Sequence, residues 1–386
     1  MRLLYLTMAD VDDRSYGGAI RSHHLREAML ELGEVDTLVI HRAIRTRLDT
    51  DWQPGRVRRG LYGPGSSGPL GELGQRLAIR RWVRAIVHEG RYNAIVARYV
   101  GLALFVPRDA WPRLVIDADD IVKSIPADVK APLDVRVALW LRNRAARAAL
   151  TRARHVWFVN PADSTRLRAR GSSWVPNIVS MPDPERVRAA PVPGRLLMVG
   201  YFHHAPNAQG LQWFASEVLP ALVAQFPQVE LHVVGKHPAG LAASLANSGV
   251  VFHGFVESLQ LDYDRAALVV APIQFGGGTQ IKVIDALAHG RPLVASRFAH
   301  AGFAGELTDG VHLRVAEGAP DWIAQCAAVL RDPAPAEAMA QRGQAVAADT
   351  RAAQRVVETV HDTLSRIVGD TPAAGPRTGS GDAGRR

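Results

Sequence analysis

Residues 268–295 read LVVAPIQFGGGTQIKVIDALAHGRPLVA, and no other segment constrains the fold as tightly. Residues 268–273 form an apolar run of strand length, and residues 292–295 form a second. Between them stand Gly276, Gly277 and Gly278, then Thr279, then a stretch with apolar residues at helical spacing. That stretch carries one lysine, Lys282, and one carboxylate, Asp285. Open parallel sheets hold ligands beyond the carboxyl ends of their strands, and the glycine loop falls at that edge. Bare amides approach an anion closely there and the helix N-terminus favours its charge, so a phosphate-bearing ligand is expected. A turn chosen only for its tight bend is the plainer explanation, but Thr279 and Lys282 beside three glycines exceed what a bend needs. Lys282 lies one helical turn after Thr279, with Asp285 on the same face. The two could simply pair on a solvent-facing edge; the apolar surroundings argue that each has a task.

The rest of the chain repeats the alternation. Strands are expected at 3–7, 35–40, 94–97, 114–117 and 156–159, with helical patterns such as 20–32 and 73–88 between them. Residues 60–74, rich in glycine, proline and serine, read as a mobile loop. Residues 181–194 contain four prolines and no apolar periodicity, which marks an inter-domain linker. The pattern then restarts with strands at 196–199, 230–234, 250–252 and 268–271 and helices at 210–225 and near 260–265. Helices from Asp321 and Pro335 onward close the second unit. The organisation expected is an N-terminal domain over 1–180, a linker over 181–194, and a C-terminal domain over 195–350. A helix over 351–369 reaches back to the first domain, and 370–386 is a disordered tail. The fold class is α/β, two doubly wound Rossmann-like domains facing a cleft.

Bulk properties agree. A chain of 386 residues, 47% hydrophobic, fits two domains of ordinary size. No run of eighteen apolar residues occurs, and the N-terminus opens into a strand-like run without the look of a signal peptide, so a cytoplasmic location is expected. The single cysteine, Cys326, excludes an internal disulfide and reads as a small apolar residue on a helix face. The net charge of +9 is almost all arginine, clustered at 76–84 and 136–170. Solvated helix faces are the plain explanation; docking on anionic lipid is the sharper one, with peripheral attachment to the inner face of a membrane. No nucleic-acid-binding motif accompanies the charge.

The glycine segment resembles the donor-nucleotide site of the GT-B glycosyltransferases, in particular the large retaining group (group 1, family 4-like). LLMVGYFHHAPNAQGLQWF at 196–214 is similar to the family's strand and proline-asparagine turn opening the C-terminal domain. LHVVGKHP at 231–238 and VVFHGFV at 250–256 are similar to its next two strands, and ALVVAPIQFGGGTQIKVIDALAHGRPLVAS is the closest match. The resemblance implies that Lys282 neutralises the donor diphosphate, Asp285 holds the ribose, and Gly276, Gly277, Gly278 and Thr279 line the sugar-phosphate pocket. Gly200, His204 and Asn207 join the donor side. Two departures stand out: Gly277 replaces the family's first glutamate, and Asp285 replaces the second, one methylene shorter. No diphosphate arginine follows Gly200, where Tyr201-Phe202-His203-His204 stands, and Arg195 comes too early.

In the first domain, Gly17 and Gly18 follow the first strand and open a helix, resembling the loop that faces the donor phosphates. An ordinary turn fits two glycines nearly as well. Arg21 and His24, one turn apart, either aim at an anion or lie on the helix surface. The absence of GxGxxG counts against a nicotinamide enzyme. Asp117-Ala118-Asp119-Asp120 follows another strand; as a metal triplet it would use oxygen ligands only. Facing the cleft, Asp119 or Asp120 would instead accept the acceptor's proton, or cap the next helix. The adjacent His203 and His204 face different ways and make no zinc site.

The reading is a metal-independent retaining glycosyltransferase with no cofactor, moving a hexose-like sugar from a nucleotide-diphosphate sugar to a saccharide or lipid-linked acceptor, in cell-surface polysaccharide or glycolipid assembly. A nucleotide-sugar epimerase of the same architecture and a non-catalytic nucleotide-sugar-binding subunit are the alternatives.

Overall fold

The computed structural model describes residues 1–13, 16–42, 57–62, 69–119, 132–167, 169–179, 181–183, 185–246, 248–276 and 279–370. The first half runs β1 (Arg2–Thr7), α1 (Gly17–Leu30), β2 (Glu34–Arg42), β3 (Val57–Tyr62), α2 (Pro69–Gly90) and β4 (Ala94–Arg98). It continues through α3 (Val100–Ala103), a 3-10 turn (Arg108–Arg113), β5 (Leu114–Ala118), α4 (Leu133–Arg152), β6 (His155–Phe158), α5 (Pro161–Arg166) and β7 (Ser172–Trp174). The seven strands form one parallel sheet in the order β3-β2-β1-β4-β5-β6-β7.

After a stretch without regular structure come β8 (Arg195–Val199), α6 (Ala205–Glu217), α7 (Leu219–Gln225), β9 (Glu230–Val234), α8 (Ala239–Ser244), β10 (Val250–Gly254), α9 (Gln260–Arg265) and β11 (Leu268–Ala271). The chain ends with α10 (Ile281–Ala288), β12 (Leu293–Ser296), α11 (Arg297–Ala301), β13 (Arg314–Ala316), α12 (Gly318–Arg331), α13 (Pro333–Arg351) and α14 (Ala353–Gly369). The second sheet is also parallel, in the order β10-β9-β8-β11-β12-β13.

Parallel strands are covered on both faces, which is why the central ones read as unbroken apolar runs. β4, β5 and β6 are buried along their whole length. One face of the first sheet packs under α2, α3 and α4 through Ile79, Val83, Leu102 and Leu150. The other packs under α1 and α14 through Tyr5, Leu25, Val360 and Leu364. α14 therefore lies on the first sheet although it follows the second. Arg351, just before it, is buried with its guanidinium 5.0 Å from the Trp174 ring and 2.8 Å from Glu306. That arginine ties β7 to the second unit.

Several elements differ from expectation. Residues 60–74 are not a loop throughout: β3 holds residues 60–62 and α2 begins at Pro69. VRRGLY carries no apolar run, so nothing in its pattern marks a strand; pairing to β2 supplies the order. The helix expected at 210–225 is two, α6 and α7, broken at Val218. Pro220 has no N–H for the ladder and its ring displaces the carbonyl one turn back, so the helix restarts. β7 and β13, three residues each, were also not foreseen. Residues 371–386, expected as a tail, lie outside the described residues. Cys326 is buried on α12, where burial pushes its thiol up and leaves it an apolar filler.

In both sheets the strand order reverses beside the first strand of the unit, at β1/β4 and at β8/β11. Such switch points open a crevice at the carboxyl ends. Gly17, Tyr99 and Asp119 leave the first crevice, and Gly200 and Gly276 leave the second.

Candidate active site

The two crevices face one cleft of about 1210 Å³, lined by residues of both units. Single-ligand pockets run to roughly 1,000 Å³, so this one has room for two reactants.

On the C-terminal side, α10 supplies the charged groups. Val283, Ile284, Ala286, Leu287 and Ala288 are buried, which turns Lys282 and Asp285 toward the cleft. They do not pair with each other. Lys282 Nζ donates to Asn207 Oδ1 at 2.6 Å, and Asn207 Nδ2 donates to the Tyr201 carbonyl at 2.9 Å. No carboxylate of the described residues pairs with Lys282. Burial without a counter-ion pushes its pKa down from 10.5 to about 7. This is an ammonium that lacks an anion. Gly276 holds φ +136°, a conformation that favours glycine, and it delivers the chain to Thr279 and the α10 N-terminus. Gly277 and Gly278 lie outside the described residues.

Asp285 is held from the side. Tyr263 donates its hydroxyl to Asp285 Oδ2 at 2.8 Å, and His289 stacks on Tyr263 with ring centres 4.3 Å apart. His289 Nδ1 lies 2.9 Å from the Asp285 backbone carbonyl, which only accepts, so Nδ1 carries the proton. Burial raises the Asp285 pKa, with His289 and the Tyr263 hydrogen bond opposing it. Gly200 and His204 line the same wall, His204 preceding α6. The His203 ring lies tilted against Tyr201, their centres 5.2 Å apart.

On the N-terminal side, α1 begins with Gly17 against the opposite unit: a Cβ on Gly17 would fall 2.6 Å from Ile281 Cδ1. A side chain there would have to displace the tip of Ile281, so the glycine lets the starts of α1 and α10 meet without rearrangement, and both helices present their positive ends there. Gly18 lies against Tyr16 and Tyr99. Tyr16 sits 6.0 Å from Tyr201 across the cleft, and burial pushes its pKa up to about 12, so its hydroxyl stays protonated.

Arg21 is not at this site. It is buried, with Nε and Nη2 donating to Asp117 at 3.0 and 2.5 Å, and with bonds to the carbonyls of Val175 and Pro176. Following a glycine loop, it looked like an anion ligand; its position one turn into α1 instead points it under β5. His24 does line the cleft. Asp117 is consumed by that pair. Asp119 does face the cleft, and Arg98 Nη2 donates to it at 2.7 Å. Arg98 also lies 4.7 Å from the Tyr99 ring, and Tyr99 holds φ 72°, unusual for a non-glycine residue. Each of these carboxylates is thus matched by an arginine rather than gathered for a metal. Asp120 lies outside the described residues.

Sequence reasoning missed Tyr263, His289, Arg98 and Tyr99. His289 sits four residues after Asp285, a spacing that places both on one side of a helix. Nothing local joins Tyr263 to Asp285, because their contact crosses from α9 to α10.

Residues 193–332 match the family model of the group 1 glycosyl transferases. Sucrose-phosphate synthase from Thermosynechococcus elongatus superposes with a TM-score of 0.70 at 16% identity, over 96% of this chain and 100% of that one. WaaG, a glycosyltransferase involved in lipopolysaccharide biosynthesis, superposes with a TM-score of 0.66 at 15% identity, over 95% and 100%. Anabaena HepE, solved with UDP and glucose, gives 0.63 at 17% identity, over 95% and 100%. An uncharacterized 44.6 kDa protein in the cps region of Klebsiella pneumoniae is 25% identical over 116 residues, 28% of this chain and 30% of that protein's length. The chain has the GT-B fold, and the part of it that matches the group 1 glycosyl transferase model is its C-terminal unit, residues 193–332.

Proposed function

We propose that this protein is a retaining glycosyltransferase acting on a nucleotide-diphosphate sugar. The acceptor is a saccharide or a lipid-linked saccharide at the cytoplasmic face of a membrane. The observation that carries the reading is Lys282, a half-buried ammonium whose partner among the described residues is a neutral amide, at a helix N-terminus in a cleft between two units. HepE binds UDP and glucose, which makes a uridine diphosphate sugar the first donor to test. The cps-region relative supports a place in polysaccharide assembly.

In this reading the bond between the anomeric carbon and the diphosphate breaks first. Negative charge grows on the departing phosphate, and Lys282, the α10 dipole and the loop at Gly276 and Thr279 meet it without a metal. The acceptor oxygen attacks from the face that the diphosphate vacates, its proton passes to the departing phosphate oxygen, and configuration is retained. Asp285 accepts from the nucleotide ribose, fixed in aim by Tyr263. Asp119, steadied by Arg98, accepts from an acceptor hydroxyl. Gly277 removes the family's first carboxylate from the sugar pocket, so Asn207 and the wall from Gly200 to His204 carry more of the donor contact.

The test is nucleotide release by the purified protein with a panel of donors and acceptors. Release that needs an acceptor supports transfer. Epimerised donor without an acceptor, or binding without turnover, overturns it.

A further inference from the structure

α4 is only half attached to its domain. Its buried residues, Ala146, Ala149 and Leu150, all fall in the second half. The first thirteen residues, 133–145, include none that is buried and extend roughly 20 Å at 1.5 Å per residue. In this overhang Leu133, Val137, Trp140 and Leu141 are 73, 48, 59 and 54% exposed. At 100° per residue these four share an arc of roughly 100°, centred about 180° from the buried anchors. They point directly away from the sheet, and none of the described residues buries them. The helix carries five arginines and one acid, Asp134. Arg136 and Arg147 lie along one edge of the apolar arc, and Arg144 falls within it, its guanidinium 5.6 Å from the Trp140 ring. α2, on the same face of the sheet, adds exposed Arg76, Arg80, Arg81 and Arg84.

We propose that this overhang is a docking surface for an anionic lipid bilayer, Leu133, Val137, Trp140 and Leu141 entering the acyl boundary while the arginines meet head-group phosphates. The combination of an apolar arc with flanking arginines fits such an interface. A second copy of the chain fits poorly, since two-fold pairing would oppose the same arginines. Nucleic acid would use the cations and leave the aliphatic arc unused. Helices between parallel strands run back antiparallel, so the overhang starts at the carboxyl edge where β5 delivers Asp119 to the cleft. Docking there brings the cleft to the lipid surface. The surface stands on the first domain alone; only this consequence rests on the transferase reading.

The full chain is sedimented with vesicles of phosphatidylglycerol and phosphatidylethanolamine, or of phosphatidylcholine alone, at low and high salt. Wild type should bind the anionic vesicles, and Leu133→Ser/Val137→Ser/Trp140→Ser should lose affinity about tenfold or more. Arg136→Gln/Arg144→Gln/Arg147→Gln should lose most of the salt-sensitive part. Both variants should keep the wild-type melting temperature and UDP response, so misfolding or failure of the donor reading shows separately. Equal partition of the apolar variant, or equal binding to neutral vesicles, overturns the proposal. So does a solution dimer dispersed by the apolar variant, or slow amide exchange over 133–141 in the free monomer, which would mean that another chain or this one covers the arc.

Discussion

Replacing Lys282 with methionine should stabilise the free protein while it abolishes nucleotide binding. Burial lowers the lysine from 10.5 to about 7. At about 1.4 kcal/mol per unit that gap corresponds to nearly 5 kcal/mol, and partial exposure with solvent relaxation reduces it to the order of 1–2 kcal/mol. The sign follows from proton counts. Between pH 7 and 10.5 the unfolded chain holds the proton that the folded chain has released, so stability rises with pH across this window. Below about 7 the folded protein carries the charge and the whole cost. Lys282→Met should therefore melt a few degrees above wild type at pH 6, at roughly 2 °C per kcal/mol, with the gap closing toward pH 10. Saturating UDP at a hundred times its dissociation constant should stabilise wild type by about 2.7 kcal/mol and leave the variant unmoved. Thermal melts at several pH values, with and without UDP, read both effects. A variant less stable than wild type at pH 6, or one that keeps the UDP shift, refutes the reasoning.

Other substitutions separate structural from functional roles. Arg21→Ala strips a buried partner from Asp117 and should cost about 3–5 kcal/mol in denaturant melts, with UDP affinity of the folded protein unchanged. Tyr263→Phe removes the donor to the Asp285 carboxylate; stability should fall by about 1–2 kcal/mol and KM for the donor should rise more than kcat falls. Gly17→Leu places a side chain where Ile281 stands and should raise donor KM at least about tenfold while the melting temperature moves by under about 2 °C.

Much of this was legible in the chain. The strands that pack in the middle of each sheet, such as Leu268–Ala271, are apolar on both faces and announce themselves by composition. β3 and β7 escaped because edge strands are ordered by a neighbour rather than by their own pattern. That Gly276, Thr279 and Lys282 meet in one cleft was readable because the glycine loop, the helix start and the cation stand close together in sequence. The hold on Asp285 by Tyr263 and on Asp119 by Arg98 was not, since each joins residues from separate elements. Arg21 shows the converse: its place beside a glycine loop fits an anion ligand or a surface residue, and a carboxylate ninety-six positions away claims it instead.

The central claim is that Lys282 waits for a diphosphate, and proton linkage tests it most directly. At pH 8 the free lysine is largely neutral, and a bound diphosphate should charge it. Calorimetric titration of UDP in buffers of different ionisation enthalpy should then show uptake of close to one proton per nucleotide, absent in Lys282→Met. Tight binding with no proton uptake at pH 8 would contradict the account.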